Sequence, residues 1–181
     1  LKAFRTLQES TQLSFYRKEQ IVERYALLCF FFATNNVVTE ATEWALDGEE
    51  PGFWKKRWTV EERLNTDHCQ WNGITCNERG RVLRMLLHNN NLSGELPPEL
   101  TLLHKLRIVN FRSNKALGGN LPSFLGKLPS YVRGDVSATS YIAVPDETCL
   151  DSEGLLITGV LYVSCDALSC PCCECRDRRL R

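Results

Sequence analysis

The strongest constraint on the fold is an internal repeat near the middle of the chain. Residues 82–97 read VLRMLLHNNNLSGELP, and residues 106–122 read LRIVNFRSNKALGGNLP. The two segments align with an offset of 24 residues as far as Asn90 and Asn114, after which one inserted residue makes the offset 25. A repeat of this length predicts a solenoid, in which each turn of the chain packs mainly on its neighbours.

Each repeat predicts a short strand followed by a corner and a return path. Apolar residues alternate along the strands, so we expect the inward side chains to be Met85 and Leu87, then Val109 and Phe111. Asn90 and Asn114 follow, where an amide side chain can satisfy turning backbone groups, and we expect both to point inward. Gly94 and Gly119 allow a tight bend, and the Leu-Pro step that follows favours extended backbone on the far side. We expect the chain to return to the core at Leu100 and Leu103, then at Leu125 and Leu128.

The resulting pattern, L-x-x-L-x-L-x-x-N-x-L-x-G-x-(I/L)-P, resembles the plant-type leucine-rich repeat. The resemblance implies an α+β fold built as a short leucine-rich-repeat solenoid of about four turns. A third repeat continues in decayed form at Val136, Ile142 and Val144-Pro145, and TGVLYVSC at 158–165 reads as a final strand with Leu161 and Val163 alternating. Two repeats are therefore regular and two are irregular.

The segment CQWNGITC, Cys69 to Cys76, precedes the first repeat. It resembles the N-terminal cap of plant-type leucine-rich repeat proteins, which implies that Cys69 and Cys76 pair and that Trp71 covers the open end of the first repeat. The alternative is two free thiols or half of a metal site.

Upstream of this cap, residues 19–33 predict a helix. One apolar face is predicted: Ile21, Val22, Tyr25, Leu28, Cys29 and Phe32. The apolar run 25–33 is too short to span a bilayer, so we expect the helix to pack against the cap, with Cys29 as a buried free thiol. The stretch 23–35 also resembles the region before the cap in diatom-type algal leucine-rich repeat proteins.

Most of the nine cysteines lie near the C-terminus. Once Cys29, Cys69 and Cys76 are set aside, six remain: Cys149, Cys165, Cys170, Cys172, Cys173 and Cys175. Their ending again resembles the diatom-type group, and six cysteines allow fifteen pairings. The spacing Cys172-x-x-Cys175 also suits a thiolate zinc site. The disulfide-type cap and the glycosylation sequon at Asn91 are both expected of a secretory protein, which favours disulfides over a metal site. We therefore predict no metal and no cofactor.

These features divide the chain into three parts. Residues 1–80 are predicted to form a helical segment and N-terminal cap, 81–145 the repeats, and 146–181 the final strand and Cys-rich C-terminal cap. Because the chain begins at Leu1 without a methionine, we expect a processed form or a fragment.

Catalytic and nucleic-acid functions are disfavoured. Twenty-two basic and twenty-two acidic residues cancel, which gives no general attraction for nucleic acid or an anionic membrane. The histidines fall in no hydrolase or zinc-protease motif, and the chain carries no phosphate-binding loop. We therefore predict that the protein is not an enzyme. The tripeptide Arg133-Gly134-Asp135 occurs in some adhesive proteins, but here Gly134 predicts a turn.

A binding surface is the remaining functional prediction. The outward residues of the strands on the concave face form a mixed ladder that suits a protein or peptide partner. We predict these partner-binding residues: Leu86, His88, Asn89, Asn110, Arg112, Ser113, Tyr162 and Ser164. The alternative is a structural or accessory subunit docked permanently into a larger, membrane-associated assembly. Asn91 lies in an Asn-Leu-Ser glycosylation sequon, and the expected location is secreted, at the cell surface or in another oxidising lumen.

Overall fold

A computed structural model of the protein describes residues 2–11, 13–34, 65–121, 133–137, 139–143, 149, 160–164 and 171–176. The helices are α1 (Lys2–Gln8) and α2 (Lys18–Thr34), with short 3-10 turns at Leu13–Phe15, His68–Gln70 and Pro98–Leu102. The strands are β1 (Ile74–Cys76), β2 (Val82–Leu86), β3 (Ser93–Gly94), β4 (Ile108–Asn110), β5 (Ala116–Asn120), β6 (Arg133–Asp135), β7 (Ser140–Ala143), β8 (Val160–Ser164) and β9 (Cys173–Arg176).

The strands form two sheets that the chain visits in turn. The first sheet has the order β1-β2-β4-β6-β8-β9, in which β1 is antiparallel to β2 and the later pairs are parallel. The second sheet has the parallel order β3-β5-β7. Because β2, β4 and β6 are each followed by a strand of the second sheet, the chain coils as the repeat pattern requires.

Inward side chains of the first sheet stack in two columns across the parallel strands. One column contains Met85, Val109 and Leu161, and the other contains Leu87, Phe111, Val136 and Val163. All seven side chains are buried. The alternation seen in the sequence therefore gives the correct inward face for β2, β4 and β8. The predicted repeat positions Pro122, Leu125, Leu128, Val144 and Pro145 lie outside the described residues.

Gly134 lies in a strand, and the prediction of a turn there is wrong. Arg133 pairs with Ile108 of β4 on one side and with Val160 of β8 on the other. Gly134 occupies the column position between Val109 and Leu161. Hydrogen-bonded ladders on both sides impose extended backbone here, and this tertiary pairing overrides the local preference of glycine for turns.

The asparagine corner is present, but the two asparagines differ. The amide of Asn114 is fully buried: its Oδ1 accepts from the backbone N–H groups of Asn90 (2.9 Å) and Leu92 (3.0 Å), and its Nδ2 donates to the carbonyls of Leu87 (2.9 Å) and Phe111 (2.7 Å). Asn90 is only half-buried, contrary to the expectation. The reason is topological, because Asn114 reaches back to the preceding parallel turn whereas β2 is preceded by the antiparallel β1.

Helix α2 extends one residue beyond each end of the predicted helix, and its predicted apolar face is right only in part: Leu28 is buried, four further residues pack partly buried against the core, and Val22 is exposed. The buried side chains are Glu23, Arg24, Ala26, Leu27, Leu28, Phe30, Phe31 and Thr34. Val22 is exposed, while Ile21, Tyr25, Cys29 and Phe32 are half-buried. Cys29 is a free thiol, as expected, but it is not fully buried. The buried side contacts β3 and the 3-10 turn Pro98–Leu102, and Phe30 stacks on Phe111 with 5.5 Å between ring centroids.

A buried carboxylate joins α2 to the start of the first parallel strand. Glu23 Oε1 pairs with Arg81 Nε at 2.7 Å, and Glu23 Oε2 accepts from the backbone N–H of Val82 at 2.8 Å. Burial raises the pKa of Glu23, against the lowering effect of these two donors. The contact satisfies a buried backbone donor that would otherwise lack a partner. No helix in the described ranges is long and apolar enough to cross a membrane.

Candidate protein-binding face

The outward side chains of the first sheet form the surface on which the predicted site lies. We use the name strand face for the surface formed by the outward side chains of β2, β4, β6, β8 and β9. It includes the residues just after each strand whose side chains point to the same side of the sheet. Their pairing aligns them in three rows that cross the strands.

The first row of the strand face contains Arg84, Ile108 and Arg133, followed by Val160, whose side chain lies outside the described residues. Both arginines are exposed and Ile108 is half-buried. None of the three is among the residues that the sequence predicts for the site. Arg84 and Ile108 lie two residues before Leu86 and Asn110, so the alternation along the strands could have predicted that they also face outward. Arg133 is missed because the sequence predicts a turn at Gly134 where the structure has a strand.

The second row consists of Leu86, Asn110, Asp135, Tyr162 and Glu174. Three of the predicted residues, Leu86, Asn110 and Tyr162, therefore lie in line across neighbouring strands, and all three are half-buried. Asp135 is buried between them, and its Oδ1 accepts from the backbone N–H (3.1 Å) and the hydroxyl (2.7 Å) of Ser137.

The third row lies just beyond the strands. The backbone N–H of Asn89 donates to the carbonyl of Arg112, and that of Ser113 donates to the carbonyl of Ser137, which aligns His88, Arg112 and Ser137. Arg112 is exposed and His88 is half-buried. Ser164, the last residue of β8, is next in this row, and its side chain lies outside the described residues.

Two predicted residues lie at the corner and not in the rows. Asn89 and Ser113 have positive φ angles of 52° and 60°. This left-handed backbone turns the chain away from the sheet directly after the strand. Asn91, the predicted glycosylation residue, also has a positive φ, of 53°, and its side chain is exposed.

An aromatic contact fixes one edge of the strand face. The guanidinium carbon of Arg133 lies 4.6 Å from the ring centroid of Tyr162 on the next strand. This distance is within the range of a cation–π interaction, which restricts the arginine although its side chain is exposed.

A second polar cluster lies in the N-terminal part of the chain, away from the strand face. Arg24 is fully buried, with its guanidinium carbon 5.5 Å from the ring centroid of Tyr16 and 5.0 Å from that of Trp71. Its Nη1 donates to the hydroxyl of Tyr16 (3.1 Å) and to the carbonyl of Thr66 (2.8 Å). Burial lowers the pKa of Arg24. Trp71, which the sequence assigns to covering the first repeat, is itself buried.

His68 completes this cluster. Its ring is fully buried, edge-on to Tyr16 with 5.2 Å between centroids, and neither ring nitrogen has a hydrogen-bond partner in the part of the chain that the structure describes. Burial lowers the pKa of His68 to about 4, although Asp67 at 3.7 Å opposes the shift. His68 belongs to the predicted N-terminal cap, but the local sequence does not predict its burial, because Tyr16, which packs against its ring, comes from a distant part of the chain.

Of the six cysteines whose side chains the structure describes, five are disulfide-bonded. Disulfides join Cys69 to Cys76 and Cys149 to Cys172, and Cys173 is also disulfide-bonded. His68, Cys69 and Cys76 bring three possible metal-ligand atoms within 4.8 Å of one another. The disulfide occupies both sulfur atoms, so they are not thiolate ligands in this state. Cys165 and Cys170 lie outside the described residues, as does the side chain of Cys175.

Comparisons with known proteins point to plant leucine-rich repeat receptors. The chain is 36% identical over 98 residues to phytosulfokine receptor 1 of Arabidopsis thaliana, an alignment that covers 49% of this chain and 9% of the receptor. It is 28% identical over 126 residues to receptor-like protein 47 of the same plant, covering 61% of this chain and 16% of that protein. The matched regions are leucine-rich-repeat segments and do not include a kinase domain. No protein-family model matches the chain.

Among solved structures, a chain in the crystal structure of PEPR1–AtPEP1 matches 77% of this chain and 18% of its own length, with a TM-score of 0.48 and 21% identity. The chain thus spans less than a fifth of the length of each protein named here.

Proposed function

We propose that this protein is a non-catalytic interaction module that recognises a protein or peptide through the strand face. The observation that carries the proposal is the alignment of cationic, apolar and aromatic side chains in rows across the parallel strands. Surfaces of this mixed composition suit protein recognition, in which aromatic residues and arginine are enriched.

The backbone beneath the strand face is held rigidly. Three hydrogen bonds join the Asn114 side chain to the preceding turn, a fourth holds it to Phe111 of its own turn, and the parallel ladders continue from β2 to β9. A partner would therefore meet side chains that are already positioned, which lowers the entropy lost on binding.

We also propose a cellular setting and the role of the two chain ends. In this proposal, residues 1–80 and 146–181 act as caps for a solenoid of about four turns, and the disulfides support a location at the cell surface, outside the cell or in another oxidising lumen. The exposure of Asn91 supports its use as a glycosylation site.

The function is tested by selecting a random peptide library, displayed on phage, against the immobilised full chain. Peptides that bind are then measured against the double variant Leu86→Ala with Tyr162→Ala. We expect at least a tenfold loss of affinity, because the variant removes the two largest apolar contacts of the second row, with little change in melting temperature. The control is Phe15→Ala, which truncates a side chain that is 80% exposed in the 3-10 turn before α2.

Two results contradict the proposal. One is that no peptide binds above background, and the other is that the selected peptides bind the Leu86/Tyr162 variant normally but lose affinity for Phe15→Ala. The second result would move the binding site to the N-terminal helices, which is the surface expected of a permanently docked subunit.

A further inference from the structure

We propose that the strand face recognises an acidic peptide segment, whose side-chain carboxylates bind Arg84, Arg112 and Arg133. The inference rests on the proposed function of this face and adds the chemistry of the partner. All three arginines are exposed on the strand face.

The spacing of the first row defines part of the ligand. Arg84 and Arg133 flank Ile108, one strand away on either side. Neighbouring strands lie about 4.8 Å apart, so the two arginine backbones are about 10 Å apart. A peptide in the polyproline II conformation has three residues per turn and rises about 3.1 Å per residue, so the side chains of residues i and i+3 lie on the same face, about 9 Å apart. The row therefore fits two carboxylates three residues apart on one face of such a peptide, with apolar contact to Ile108 between them.

Arg112 adds a third cation at the opposite edge of the face. Arg112 lies four residues after Ile108, in the segment that continues β4, which places it about 13 Å further along the strand direction. Leu86 and Asn110 lie between these two cationic edges. A bound segment would thus meet an apolar and amide surface bordered by positive charge.

The positive charge of these arginines is not neutralised within the described ranges. The ion pairs found there join Arg81 to Glu23 and His68 to Asp67, and neither involves the strand face. The carboxylate nearest the arginines along the rows, that of Asp135, is buried and bonded to Ser137. Glu174 is exposed, but it lies on β9, two strands beyond β6.

Arg133 is the best positioned of the three cations. Its contact with the ring of Tyr162 restricts the side chain before a ligand arrives. A guanidinium group can then bind a carboxylate through two parallel hydrogen bonds, a geometry that lysine cannot provide. The peptide residue bound by Arg133 is therefore expected to be acidic, and the adjoining apolar residue to contact Tyr162.

The experiment uses the same library, fused through the peptide C-terminus so that all carboxylates come from side chains or from the carrier. We expect the selected peptides to be enriched in Asp and Glu, with pairs three residues apart. Raising the salt concentration from 50 to 500 mM should weaken binding about tenfold, since exposed ion pairs are screened. The variant Arg84→Glu with Arg133→Glu should lose at least thirtyfold in affinity.

The matched control is Lys2→Glu with Lys18→Glu, which changes the net charge by the same amount at the exposed first positions of α1 and α2. Acidic residues are tolerated at helix N-termini, so this variant should fold and bind normally. Equal loss in both variants would show general charge attraction and overturn the inference.

The outcomes also separate the inference from the function on which it rests. Peptides without acidic enrichment that lose affinity for the Leu86/Tyr162 variant but not for the Arg84/Arg133 variant would overturn the acidic ligand and leave the binding face intact. Peptides that are indifferent to both variants would overturn the binding face itself and, with it, this inference.

Discussion

Lowering the pH should destabilise the N-terminal part of the fold through His68. Among the described residues, the groups near its buried ring are Tyr16, Arg24, Trp71, Asp67 and the backbone of Gly80. Protonation would place a second cation beside buried Arg24, and Asp67 and the Gly80 backbone offset only part of this cost. The pKa of His68 is therefore lowered from 6.5 to about 4, with burial as the main cause.

The sign and size of the effect follow from linkage. Because the folded pKa lies below the unfolded value, the unfolded chain binds more protons as the pH falls below 6.5, and stability is lost between about pH 6.5 and pH 4. A shift of this size corresponds to about 3 kcal/mol at low pH, and about 2 kcal/mol of it should be lost between pH 7 and pH 5.

Urea unfolding followed by tryptophan fluorescence at pH 7 and pH 5 measures this difference. His68→Phe removes the titrating group without removing a hydrogen bond found in the structure, so most of the pH dependence should disappear. His104→Gln, at an exposed position, is the control and should keep the wild-type dependence. If His68→Phe loses as much stability between pH 7 and pH 5 as the wild type, His68 is not the responsible group and the reasoning is refuted.

Three further predictions concern the corner, the cysteines and the sequon. Asn114→Ala should lower the free energy of unfolding by about 1–3 kcal/mol because it removes buried hydrogen bonds, whereas Asn90→Ala should cost clearly less; equal losses would contradict the difference in burial. Alkylation without reductant, followed by mass spectrometry, should label at most Cys29, and labelling of four or more cysteines, or stoichiometric zinc, would show that the C-terminal pairing is wrong. If the protein passes through the secretory pathway, glycosidase treatment should lower its mass by removing a glycan from Asn91, and an unchanged mass would argue against that route or that exposure.

The repeat could be predicted from sequence because its signals are local. Alternation along β2 and β4 sets which residues point inward. Gly94 and Gly119 both have a φ angle of 83°, a left-handed backbone that favours glycine, but they lie in β3 and β5 and not in the predicted bends. The alternation needs no knowledge of distant neighbours. The sequence therefore predicts the strand parity and, from it, half of the strand face.

The errors occur where distant contacts decide the outcome. Apolar periodicity predicts that Val22 faces the core and that Glu23 faces solvent, but the structure reverses both. Glu23 is buried because it binds Arg81 and the backbone N–H of Val82, which are nearly 60 residues away in the chain. The burial of Arg24 similarly depends on Tyr16 and Trp71. Arg133 and Asp135 join the strand face because β4 and β8 enclose their strand, a pairing that the local sequence does not show.

The central claim is that partners bind the strand face, and photo-crosslinking tests it most directly. A benzophenone amino acid is placed at Tyr162 or, in a second sample, at Phe15, and each full chain is irradiated with a peptide selected from the library. The account predicts a peptide adduct from position 162 and none from position 15. An adduct from position 15 with none from position 162 would contradict it.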